Sequence, residues 1–127
     1  HFTIFSTKLS KHLPNMYLDA HGKRDRKAPY WAKKNLKYLS LEANEFNDNY
    51  SLYITEGQHV PALQIFTPDI MAELIDLTEY FDIEFINDTL YIYEEGAITT
   101  KRKLEEMHKI AKHLTENVAY IVDRMSV

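Results

Sequence analysis

The sequence predicts an α+β domain, with an antiparallel sheet of about five to seven short strands and two helices, at about 68–80 and 100–124, packed on one face. Three observations lead there. Tyr50-Ser51-Leu52-Tyr53-Ile54-Thr55 alternates with period two. Asp82 to Tyr93 reads as two strands joined by a two-residue turn, and Thr100 to Arg124 carries a long apolar stripe at helical spacing.

The elements follow in chain order. Phe2 to Phe5 and Met16 to Leu18 are short strand-like runs separated by Lys8 to Pro14. His21 to Lys34 is polar and basic and contains both a Gly and a Pro, so it reads as a loop or insertion. Leu36 to Leu41 is expected to be a strand. In the Tyr50 to Thr55 strand, Tyr50, Leu52 and Ile54 share one face and Ser51, Tyr53 and Thr55 the other, the mark of a half-buried strand. Glu56-Gly57 supplies a turn. Val60 to Phe66 returns as the next strand, with Pro61 near its start, where a missing N–H does little harm.

Thr67-Pro68-Asp69 is a helix start. It provides a Thr N-cap, a Pro whose φ is already helical, and an acid facing the positive end of the helix dipole. Ile70, Met71, Leu74, Ile75 and Leu77 then recur at helical spacing. Asp69, Glu73, Asp76 and Glu79 fall on the more polar side, where they are expected to be hydrated rather than catalytic. In the hairpin that follows, an Asn87-Asp88 turn of type I′ pairs Phe85 with Leu90 and Ile83 with Ile92 on a core face. Glu84 and Tyr91 pair on the other face, which is mixed and open to water. The last helix repeats Leu104, Met107, Ala111, Leu114, Val118, Ile121 and Met125 at alternating spacings of three and four. A coiled coil would want charged flanks, but His108, Ile110, Thr115, Asn117 and Val122 are uncharged, which favours a helix laid along a sheet.

Composition sets the class. At 127 residues, 45% hydrophobic and 27% charged, the chain has the size of one domain spanning 1–127 and buries a core without staples. The absence of cysteine removes disulfides, thiolate metal sites and thiol nucleophiles together. No apolar run is long enough to span a bilayer, and nothing at the start reads as a signal peptide. A chain opening on His1 rather than Met is expected to be a piece of a longer one.

The net charge of -4 conceals a strong segregation. Residues 1–37 hold nine basic and two acidic groups, residues 38–100 hold thirteen acids and no Lys or Arg, and residues 101–127 hold six basic and four acidic. The basic residues concentrate in Lys23, Arg24, Arg26, Lys27, Lys33 and Lys34, around Tyr30 and Trp31. Lys101-Arg102-Lys103 sits at the wrong end of its helix for the dipole, which points to a contact with the acidic middle or to an anion-facing patch.

Recognised catalytic patterns are missing. With only Gly22, Gly57 and Gly96 there is no phosphate loop, no Ser sits in a nucleophile elbow, and none of the six histidines pairs at i,i+4. No catalytic, cofactor-binding or metal-binding residue is therefore expected, and no cofactor.

The order LEANEF, NYSLYIT, ALQIFTPDIMAELIDL and FDIEFINDTLYIY, from Leu41 to Tyr93, resembles the uncharacterised bacterial domain family DUF3137. The resemblance implies the soluble part of a membrane-anchored protein, in the cytoplasm, with the anchor outside the residues given; the basic insertion at 21–34 departs from the family pattern. Three functional readings follow. One is a non-enzymatic interaction domain with a protein partner. Another is an anionic-surface module using the basic segment, in which basic groups beside Tyr and Trp suit a lipid headgroup layer while the acidic middle repels nucleic acid. The third is an enzyme whose site leaves no recognisable motif.

Overall fold

A computed structural model of the chain describes residues 2–10, 12–21, 34–95 and 100–125. Six strands form one antiparallel sheet: β1 (Phe2–Lys8), β2 (Met16–Ala20), β3 (Lys37–Leu39), β4 (Tyr50–Ile54), β5 (Asp82–Ile86) and β6 (Thr89–Glu95), in spatial order β1-β6-β5-β2-β4-β3. Among the described residues there are four helices: α1 (Asn44–Asn49), α2 (His59–Ile65), α3 (Pro68–Ile75) and α4 (Lys101–Met125).

One sheet face carries the main core. Met16, Leu18 and Ala20 of β2, Leu52 and Ile54 of β4, Ile83 and Phe85 of β5, and Leu90 and Ile92 of β6 are all buried. They belong to one cluster with Phe46 of α1, Ile65 of α2, Leu74 of α3 and Met107, Leu114 and Val118 of α4. The helical stripe of α4 is therefore a sheet-packing stripe. Ile110, outside the strict heptad, is buried, and Leu104, within it, is exposed, because a sheet accepts a broader apolar arc than a second helix does.

The alternation of β4 is realised, with Tyr50, Leu52 and Ile54 buried and Ser51 and Tyr53 half-buried. Thr67 caps α3 by accepting from the Ile70 N–H through its hydroxyl at 3.3 Å. The hairpin register also holds, Phe85 opposite Leu90 and Ile83 opposite Ile92. Its turn differs, since Asn87 takes φ 54° but Asp88 keeps a negative φ, whereas type I′ needs both positive.

Two further expectations are corrected. Val60 to Phe66 is not a strand but lies largely in helix α2. A short apolar run fits either period, and here Pro61, Ala62 and Ile65 are buried while Val60 and Leu63 face out, the spacing of a helix. It cannot pair as a strand with the preceding β4, which is already flanked by β2 and β3. Helix α3 ends at Ile75 rather than Tyr80, as Leu77, Tyr80 and Phe81 are drawn into the core on the way to β5. Helix α1 answers no sequence expectation. It lacks a side-chain cap and is held by burial of Phe46.

Candidate functional site

On the sheet face away from the helices two acids are withdrawn from water. Asp82 is fully buried: its Oδ1 accepts from the Ala20 N–H at 2.9 Å and its Oδ2 from the Tyr17 hydroxyl at 2.6 Å. Glu84, 5% exposed, accepts from the Tyr93 hydroxyl at 2.6 Å, and the Tyr17 and Tyr93 rings stack with centroids 6.4 Å apart. Tyr17 packs with Leu36, Tyr53 and Tyr93 as a small second cluster. The face is mixed, as expected, with Tyr53, Tyr91 and Tyr93 half-buried and Ile4 and Ser6 exposed, but Glu84 itself is buried. Tyrosines lie over the carboxylates, presenting hydroxyl donors in place of water.

Burial pushes the Glu84 carboxyl above the ordinary glutamate value, and the Tyr93 hydrogen bond only partly offsets it; neighbouring Asp82 pushes the same way. Burial, and then the Glu84 carboxyl itself, raise the Tyr93 hydroxyl. Because the folded value of Glu84 exceeds the unfolded one, the native protein holds a proton that the unfolded chain has released, and stability falls as pH rises through that window. Glu84→Gln keeps the acceptor for Tyr93 and removes the charge. The variant is expected to gain stability relative to wild type as pH rises from 4.5 to neutrality, and urea unfolding at both ends of that range checks the sign. These groups are matched donor to acceptor, an arrangement that builds the sheet.

The opposite side of the molecule offers a different geometry. A cleft of about 610 Å³ opens among α2, α3 and α4, within the size range of binding sites for small ligands and side chains. Glu73 of α3 reaches His113 of α4, Oε2 to Nδ1 at 2.6 Å, while Glu73 Oε1 is shut from solvent without a hydrogen-bond partner. Gln64 Oε1 of α2, also lining the cleft, is in the same state. Asp69 and Glu116 add two more acids, and no Lys or Arg lines the cleft among the described residues. Asn117 donates to the Ile65 carbonyl at 3.0 Å and ties α4 to α2. Tyr120, 62% exposed, stands at the rim.

The acids in and just after α3 therefore divide. Asp69 and Asp76 are exposed as expected, but Glu73 and Glu79 turn toward α4. Lys103 reaches Glu79 at 2.5 Å, which accounts for a cation in the first turn of α4. That pair and the Lys101–Glu105 pair, together with the Thr100 hydroxyl accepting from the Lys103 N–H, offset the unfavourable dipole. Sequence reasoning missed the cleft because Glu73 and His113 are 40 residues apart and on different helices.

Of the basic patch, Lys23, Arg24, Arg26, Lys27, Tyr30, Trp31 and Lys33 lie outside the described residues, and Lys34 is exposed ahead of β3. Among the described residues no group of three or more His, Asp or Glu side chains is placed to hold a metal ion, and no helix is long and apolar enough to cross a membrane. No protein-family model, curated protein or solved structure matches the chain.

Proposed function

We propose that this domain is a non-enzymatic interaction module that receives a positively charged segment of a protein partner in the cleft among α2, α3 and α4. The observation that carries this reading is Glu73, one of whose oxygens engages His113 while the other sits shut away without a donor beside a cleft rich in acids. A buried acceptor left unpaired costs about 1–3 kcal/mol. A guanidinium or ammonium group supplies N–H donors and opposite charge at once. The Tyr120 ring at the rim adds a face on which a cation can lie. The exposed Val60 and Leu63 on α2 extend the surface with apolar contacts for the rest of the segment. The motifs from Leu41 to Tyr93 support placing the module in a bacterial membrane-anchored protein.

Titration calorimetry with a short arginine-rich peptide and its citrulline counterpart tests this. The arginine peptide is expected to bind, more weakly at high salt, and the neutral peptide about tenfold or more weakly, a difference near 1.4 kcal/mol. Glu73→Gln is expected to reduce the preference. Equal binding of the two peptides, or none of either, would overturn the proposal.

A further inference from the structure

The contact between Glu73 and His113 survives a change in the charge of the ring. Nδ1 of His113 lies 2.6 Å from Glu73 Oε2, and against an ionised carboxylate the ring nitrogen has to be the donor. Nδ1 donates in the charged imidazolium and equally in the neutral tautomer that carries its one proton there. The proton free to come and go is therefore the one on Nε2. The His113 side chain is 35% exposed, so water can deliver and remove that proton, whereas Glu73 is 21% exposed and its Oε1 is shut away without a donor.

The charges around His113 are mostly negative. From α3, Asp69 and Glu73 line the cleft beside it, and from α2 comes the neutral Gln64. On α4 itself Glu116 lies one turn on and Lys109 one turn back. Lys109 lines a separate pocket of about 120 Å³ with Glu73, Asp76 and Glu106. β1 meets α4 through the uncharged Phe5 and Thr7, in a groove that also holds Lys112. The buried acid of β6, Glu94, is not among the residues lining the cleft. Among the described residues that do line it, His113 alone can become a cation.

We infer that His113 is a resident, proton-controlled competitor for the cation that the cleft receives, so that the cleft binds strongly when the ring is neutral and weakly when it is charged. The inference rests on reading the cleft as the receptor of a positively charged segment. A protonated ring neutralises Glu73 and repels a second cation beside it. A neutral ring keeps Nδ1–H on Oε2, fixing the carboxylate in place, and leaves its charge and its orphaned Oε1 to the incoming group. By linkage the effect is reciprocal, so a bound cation expels the Nε2 proton.

Titration calorimetry with an arginine-rich peptide of blocked termini tests this at about pH 5 and about pH 8, the span over which histidine side chains change charge. Arginine keeps its charge throughout, so the peptide contributes no titration of its own. Wild type is expected to bind about fivefold or more tightly at the higher pH. Midway between, the binding heat is expected to differ between buffers of unlike ionisation enthalpy, reporting a released proton. His113→Gln, neutral at every pH, is expected to bind tightly at both and release no proton. His113→Lys, charged throughout, is expected to bind weakly at both. Protonation of Asp69 or Glu116 would weaken binding in His113→Gln as well, so a pH dependence that persists in that variant would overturn the inference. Equal wild-type binding at the two pH values, with arginine still preferred over citrulline, would overturn it and leave the reading of the cleft standing. No binding of the arginine peptide at either pH would overturn both.

Discussion

Replacing Phe46 by alanine is expected to lower the unfolding free energy by about 3–5 kcal/mol, a large fraction of what holds a domain of this size together. Phe46 is 1% exposed, and its ring stacks on Tyr50 at 4.9 Å with the planes 15° apart. Tyr50 in turn packs against Tyr80 at 4.9 Å and donates its hydroxyl to the Leu74 carbonyl at 3.0 Å, near the end of α3. One ring therefore joins α1, β4 and the exit from α3. Truncating it opens a cavity under a helix that has no side-chain cap of its own. Phe46→Leu, which refills most of the volume, is expected to cost about 1 kcal/mol. Urea unfolding followed by circular dichroism gives both values, and a loss below 1 kcal/mol for alanine would mean that α1 is peripheral to the fold.

Asp82→Ala is expected to have an effect of similar size by another mechanism. The fully buried carboxylate receives the Tyr17 hydroxyl and the Ala20 N–H, and both donors belong to the central strand β2. Removing the acceptor orphans two donors at about 1–3 kcal/mol each, so about 2–6 kcal/mol in all. Asp82→Asn keeps an oxygen for the Ala20 N–H and leaves the Tyr17 hydroxyl free to rotate, and is expected to cost less than half as much. Chemical denaturation of the two variants separates the readings. If asparagine and alanine cost the same, the carboxylate charge outweighs the hydrogen bonds.

Much of the architecture was legible before any coordinates. The β4 alternation, the Thr67-Pro68 helix start, the β5–β6 register and the sheet-packing stripe of α4 all depend on neighbours within a few residues, where backbone geometry alone decides which side chains share a face. The candidate site was not legible. Glu73 read as one acid among several on a polar helix face and His113 as a histidine with no helical partner, because their pairing exists only once α3 is laid beside α4. The same holds for Asp82 and Tyr17, separated by 65 residues and joined only where β5 meets β2.

Sequence alone determined the α+β class, the hairpin, the two principal helices, the charge segregation and the absence of thiol chemistry, since each follows from local periodicity, capping residues or composition. Tertiary structure alone decided the rest. It made α2 a helix, because β4 had no free side to pair with another strand and only a helix could bury Pro61, Ala62 and Ile65 together. It withdrew Asp82 and Glu84 from water on a face expected to be mixed, because buried acids are tolerable only when hydroxyl and amide donors, here from Tyr17, Ala20 and Tyr93, replace the lost water. It also brought the Glu73 and His113 pair to the side of a cleft, a consequence of packing that no spacing along the chain encodes.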